Sequence, residues 1–375
     1  MQLIQASRDT LLRPLTTVAG IVERRSTMPI LANILIRRSG NVISFVGSDN
    51  EVQITAQIEL EQTQADGLTG DPVLTTVAAR KLLDILRALP DSRDVILDLD
   101  DNKVLVASGR SRFALQTLSA SDFPVSQLPE QWEVSFTMRQ KDLRHLFNCV
   151  HFAMSHQDIR YYLNGLLLAV EPGFVRVVAT DGHRLAHGGL PLEGISGEQD
   201  VIIPRKTIHE MQRLLDDSDD DVQIDIGTDK IRFVFDNVEL VSKLVEGKFP
   251  DFTRVIPQGY ERHFDINREK MQGCLQRAAI LTTDKFKGVR LQINDGTLVV
   301  TASNAEQEEA REEIEIDYSQ EPVDIGFNVT YLLDVLANIK EDTLRWSMQP
   351  DGNSSTLITL PGDDHFKYVV MPMRI

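Results

Sequence analysis

Cysteine is nearly absent from the chain: two residues in 375, Cys149 and Cys274. They lie far apart in the helix-like stretches "HLFNCVHF" and "MQGCLQRA" and form no CxxC pair. That excludes a disulfide framework and a paired-cysteine zinc or redox motif. Both read as small buried hydrophobes of a reducing compartment. Long apolar runs are missing too. None approaches the roughly 20 residues that cross a bilayer. The opening "MQLIQASRDTLL" has no basic segment followed by an apolar one. Neither a membrane span nor a signal peptide is expected, and the protein reads as cytoplasmic. The chain also lacks a glycine-rich phosphate loop, paired carboxylates suited to acid/base chemistry, and any Gly/Ser-rich linker. Positive charge is short: 39 Lys and Arg face 56 Asp and Glu, for a formal net charge of −17. That balance argues against nucleic acid unless the basic residues are segregated on one surface.

What is present is the composition of a soluble globular protein, 42% hydrophobic and 25% charged, in a chain too long for one ordinary core. It is internally repetitive. "AARKLLDILRALP", "IPRKTIHEMQRLL" and "NVTYLLDVLANIK" align when Arg80, Arg205 and Thr330 are superposed, a register of about 125 residues. Each is an amphipathic helix; Leu82, Leu83, Leu86 and Leu89 mark the apolar stripe of the first, and Ile208, Met211, Leu214 and Leu215 that of the second. Each unit opens with a short strand and another helix, with Ser7, Thr137 and Asn267 near the helix starts. Alternating strand runs follow both helices, joined within the units at Ser39-Gly40, Pro172-Gly173 and Asp295-Gly296. The pattern predicts α+β units with two helices each and boundaries near Trp132 and Glu261.

The stretch "TDGHRLAH" (180–187) raises a different possibility. Asp181 stands two residues from His183, and His183 and His187 are four apart, a spacing that binds zinc on a helix. The repeat supplies a control. The same slot holds "SDNEVQI" in the first unit and "SNAEQEE" in the third, so Asp181 matches Asp49 and Asn304. A strand ending in an Asp-Gly or Asn turn explains Asp181 and Gly182 by backbone needs. On an extended segment, His183 and His187 are about 13 Å apart, too far to share a metal. A hydrolase or metal enzyme centred on Asp181, His183 and His187 is therefore the rival reading. What remains particular to the middle unit is "HRL", a cation and apolar groups beside a turn, as a ligand pocket uses.

The basic residues favour the helices. Arg80-Lys81 and Arg205-Lys206 open the same helix in two units, while acidic runs sit elsewhere, in "DDSDDD" (216–221) and "EQEEAREEIEI" (306–316). Solvated helix faces are the ordinary reading; segregation of this kind also makes a surface that binds phosphates without reading bases. In "SHQDIRYYLNG" (155–165), Gln157, Arg160, Tyr161 and Tyr162 fill a polar loop before a strand. One tyrosine ring could belong to the core; alternatively the loop touches nucleic acid by stacking and hydrogen bonding.

The three-unit plan, together with "HQDIRYYLNG", "ATDGHRLA", "EGKFPDF", "GFNVTYLLDVL" and the C-terminal "YVVMPMRI", resembles the bacterial sliding clamps, the beta subunits of DNA polymerase III, over the whole chain. The resemblance implies three tandem clamp domains, residues 1–132, 133–261 and 262–375, each with two helices packed on antiparallel sheets. It implies a crescent subunit that pairs head to tail with a second copy into a ring around duplex DNA. No catalytic residue, cofactor or metal is implied. The partners would be duplex DNA of any sequence, the replicative polymerase's alpha subunit, the clamp loader, and other polymerases and repair proteins carrying short clamp-binding peptides.

Carried over position by position, Arg25, Gln157, Tyr161, Tyr162, Arg205 and Lys206 would approach DNA, joined by Arg80 and Lys81 from the repeated helix start. The peptide pocket would include Leu163, Thr180, Gly182, His183, Arg184 and Leu185. Pro250, Arg254, Val255, Asn328, Tyr331 and Ser355 would extend it, and Val369, Met371, Pro372, Met373 and Arg374 would close it. Methionines suit a site that accepts several related peptides. At the ring interface Phe113 and Leu115 would meet Ile280, Leu281 and Phe286, with Arg110 and Arg112 facing Glu306, Glu308 and Glu309 to select the partner edge. The sequence departs from the family at Thr253, where a second arginine is expected before Arg254, and in "VERRST" (22–27), where Glu23-Arg24 replaces glycines. "WSMQPDGNSST" and "GDDHF" also vary.

Overall fold

The computed structural model describes residues 1–23, 27–60, 72–91, 93–283, 286–349 and 351–374. Along them the order strand, helix, four strands, helix, three strands runs three times. The α-helices of the described residues are α1 (Arg8–Ala19), α2 (Ala79–Ala88), α3 (Gln140–Val150), α4 (Arg205–Leu214), α5 (Arg268–Ala279) and α6 (Val329–Asn338). All strand pairings are antiparallel.

The local chemistry accounts for these elements. Ser7 Oγ accepts from the Thr10 amide at 3.1 Å and Asn267 Oδ1 from the Lys270 amide at 3.1 Å, so both cap helix starts. Thr137 does not. It lies inside the strand Val134–Arg139, its hydroxyl donates to Gln223, and α3 begins three residues later. Gly40, Gly173 and Gly296 all take positive φ at the expected turns. The leucine stripe of α2 is buried, as are Ile208, Met211 and Leu215, whereas Leu214 is half-buried.

Two compact units emerge, and neither is a whole number of repeats. One comprises Met1–Gln140 with Arg213–Leu244, the other Lys141–Gln212 with Val245–Ile375. The middle repeat, between the borders that the periodicity places near Trp132 and Glu261, has strands in both units. In the first unit the strand Val52–Glu59 pairs with Val238–Lys243, merging strands of two repeats into one eight-stranded sheet. In the second, Arg184–Leu192 pairs with Asp363–Val370 to make another. Each pairing removes two open edges that would otherwise template aggregation. Each unit also carries a four-stranded sheet, ending at Ser111–Gln116 in the first and at Glu309–Glu315 in the second. α1 packs on α2, and α5 on α6.

Candidate functional site

The turn at 180–184 is held by an Asx side-chain oxygen in all three repeats, with the second amide one residue further along in the third. Asp181 Oδ1 accepts from the amides of His183 and Arg184 at 2.9 and 3.1 Å. Asp49 Oδ1 accepts from Glu51 and Val52 at 2.9 and 2.6 Å. Asn304 Oδ1 accepts from Glu306 and Glu308 at 3.1 and 3.0 Å. The acid is thus a turn-former, as an Asx side chain commonly is. In the middle repeat Thr180 Oγ1 also donates to the Arg184 carbonyl at 2.6 Å, and Gly182 takes φ +90°.

Arg184 fixes this turn. Its Nε donates to Asp181 Oδ2 at 3.1 Å, Nη1 to Asp334 Oδ2 at 2.6 Å and Nη2 to the Phe152 carbonyl at 2.6 Å. Its guanidinium lies 4.4 Å from the centre of the Tyr331 ring, a cation–π contact. Only 9% of the side chain is exposed. Burial works against its charge, but Tyr368, Asp334 and Asp181 outweigh that penalty and hold the guanidinium above its ordinary range. Tyr368, itself buried, donates to the Tyr331 carbonyl at 2.9 Å.

Beside the turn lies a recess of about 180 Å³, too small for a folded partner and open enough for side chains of an extended segment. Thr180, Gly182, His183, Arg184 and Leu185 form one wall, Pro250, Phe252 and Val255 another, and Leu163, Val369 and Met371 join them. The floor is the sheet core itself: Leu167, Val178, Leu185, Ile202 and Val369 pack together, with Tyr162 and Phe252 laid against them. The chain end is fastened here, because the Met371 amide donates to the His183 carbonyl and the Met373 amide to the Gly326 carbonyl.

Most of the expected pocket residues therefore meet. Several do something else. Asn328 caps α6 by accepting from the Thr330 amide, and Tyr331 backs the wall, stacked against His183 at 6.5 Å and over Arg184. The Ser355 carbonyl accepts from the Tyr260 hydroxyl, and Arg254 reaches into solvent and pairs with Asp251 at 2.9 Å. Pro372 and Met373 are half-buried, and Arg374 is exposed beyond them. Arg160 and Phe252 line the recess without having been expected there; the motif "EGKFPDF" already contained the second.

His183 lies against Tyr331 at the recess wall, whereas His187 belongs to the strand Arg184–Leu192. His187 is buried, its Nδ1 lies 2.8 Å from the His365 carbonyl, and burial pushes its pKa down to about 4. Asp181 is fully engaged by the turn. Among the described residues no three His, Cys, Asp or Glu side chains are grouped to hold a metal. Burial also pushes Cys149 up to about 12 and Cys274 to about 11, which leaves both thiols inert.

The loop 155–164 is stapled. Asp158 takes the Arg160 side chain at 3.0 and 2.8 Å, and Asn164 exchanges bonds with the Asp158 backbone. It separates the tyrosine pair: Tyr161 is 74% exposed, whereas Tyr162 lines the recess. Tyr162 is half-buried, with its ring laid against the apolar floor. Gln157 is exposed, with φ +60°. Arg205 is half-buried and donates to the Met154 carbonyl at 2.9 Å; Lys206, Arg80 and Lys81 are exposed at their helix starts. Arg25 lies outside the described residues.

On the first unit, the edge strand Ser111–Gln116 buries only Leu115 and exposes Phe113, while Arg110 and Arg112 are exposed at its start. On the second, Ile280 is 76% exposed and Phe286 is exposed, Leu281 is half-buried, and Glu306, Glu308 and Glu309 are exposed.

No helix among the described residues is long and apolar enough to cross a membrane. Three family models match in tandem: the N-terminal domain of the DNA polymerase III beta subunit over 1–129, its central domain over 137–251 and its C-terminal domain over 253–374. The chain is 44% identical over 372 residues to the beta sliding clamp of Pseudomonas aeruginosa and 42% identical over 369 residues to that of Escherichia coli, with 98% of each chain covered in both cases. It superposes at a TM-score of 0.94, at 43% identity and over 100% of both chains, on the crystal structure of the P. aeruginosa clamp bound to griselimycin. A second P. aeruginosa clamp structure, solved with a ligand, gives the same TM-score at 42% identity. Three consecutive domain matches and this identity along the full length leave one conclusion: the chain belongs to the DNA polymerase III beta subunit family, the bacterial sliding clamps.

Proposed function

We propose that the chain is a non-catalytic processivity factor of the cytoplasm, with clamp domains at 1–132, 133–261 and 262–375. Two copies close head to tail into a ring around duplex DNA. The recess beside Arg184 receives short peptides of the polymerase alpha subunit, the clamp loader, and other polymerases and repair proteins. One observation carries the reading: an apolar recess whose floor is sheet core and whose wall is held by the three hydrogen bonds of Arg184. Such preorganisation suits side-chain anchors of an extended peptide. The two exposed sheet edges, of different sequence, suit a contact in which unlike surfaces meet. Exposed Arg80, Lys81 and Lys206 offer sequence-independent phosphate contacts, weak enough to slide. A topological hold needs no tight contact. Loaded by a clamp loader onto nicked circular DNA, the protein should stay on circles and be lost once the circle is linearised. Equal retention on both forms would sink the proposal.

A further inference from the structure

α4 carries more than its two opening cations. His209 follows Arg205 by four residues and Lys206 by three, the spacings that place side chains on one helix face. The residue is exposed, with its ring partly desolvated by its neighbours. It meets the His151 ring edge-on, with centroids 6.0 Å apart. His151 is held in place by a 3.2 Å contact from Nδ1 to the Phe147 carbonyl, which leaves Nε2 as the nitrogen turned to other partners.

We propose that His209, supported by His151, is a titratable third member of the phosphate contact that Arg205 and Lys206 begin, so that this face grips duplex DNA more strongly as pH falls. The proposal rests on the reading that the start of α4 approaches DNA. The charged surroundings are mixed. His209 faces Arg205, His156 and Glu210, with Gln212 bonded to it; His151 faces His209 and Arg205. Burial, and then the neighbouring cations, hold both rings below the ordinary histidine range, so both are neutral near pH 7. A phosphate set against this face reverses the balance. It favours the imidazolium and couples DNA binding to proton uptake.

Counterion release gives a direct readout, since each cation placed against the duplex steepens the slope of log affinity against log salt by about 0.9. Binding to a short duplex should be measured across a salt series at about pH 8 and about pH 6, with the mass of the assembly checked at both. The intact protein should gain close to one unit of slope at the lower pH. A fourfold rise in salt would then cost about threefold more affinity than it does at the higher pH. His209→Gln should remove most of that gain and leave the slope at about pH 8 unchanged. His151→Gln should remove a smaller part. Arg205→Ala with Lys206→Ala should flatten the slope at both pH values. If His209→Gln steepens as much as the intact protein, the proposal is overturned while the α4 contact stands. If the double substitution leaves the slope unchanged at both pH values, the contact itself is wrong and the proposal falls with it.

Discussion

Asp181 shows how a turn residue can imitate a catalytic one. Both its oxygens are committed, one to two backbone amides and one to Arg184. Asn304 holds the corresponding turn by accepting from two backbone amides, those of Glu306 and Glu308, without a charge. Asp181→Asn should therefore fold normally and weaken peptide binding by about tenfold at most, the loss of one charge-assisted bond behind the wall. Calorimetric titration of a polymerase-derived peptide measures it; a loss beyond about a hundredfold would mean that the carboxylate touches the ligand. His187 makes a different prediction. Its folded pKa of about 4 lies below the ordinary value of 6.5. The unfolded chain thus binds a proton that the folded chain refuses. Stability is intact above about pH 6.5 and falls as the pH drops toward 4, by up to about 3 kcal/mol from this ring. Urea unfolding at the two ends of that window should show the loss, and His187→Gln should reduce it. An unchanged pH dependence in the variant would remove His187 as its source.

At the scale of elements, three equivalent turns yield different surfaces. Beside the first repeat's turn, Lys243 and Lys230 of the middle repeat reach Glu51 at 3.0 Å and the Gln127 carbonyl at 2.6 Å, so polar groups make up much of the slot's lining. In the second, Leu163, Leu185 and Val369 line it, and the chain end closes it. The tail is the element most specific to the site. Removing residues 371–375 deletes the groove's Met371 and two backbone bonds while sparing every strand. The truncated protein should keep its assembly and melting behaviour but lose peptide binding, and normal binding would show that the groove lies elsewhere. Sequence periodicity revealed the helices, the turn glycines and two of the helix caps, since each depends on neighbours along the chain. Thr137 misled because a polar residue in a strand's solvent-facing row looks like a cap when the helix start is misplaced by three residues. The tyrosine pair at 161–162 could not be apportioned, because which ring turns inward depends on the floor beneath it.

The whole molecule is acidic, and its exposed apolar side chains include Phe113 on one unit and Ile280 on the other. Ile280→Asp places a charge where the interface core is expected. Mass in solution should fall from about twice 42.2 kDa to that of one chain, with the fold retained because the site is exposed. A variant that keeps the double mass would place the interface elsewhere. The sequence by itself determined the threefold repeat, the element order, the turn chemistry of Asp49, Asp181 and Asn304, and the family, because these are carried by spacing and local hydrogen bonding. The tertiary structure decided the rest. Strands from different repeats merged into shared sheets, which split the middle repeat between two compact units. Asp334 and Tyr331 were brought under Arg184 from far along the chain. Those outcomes come from edge pairing and burial between residues distant in sequence, and no local pattern records them.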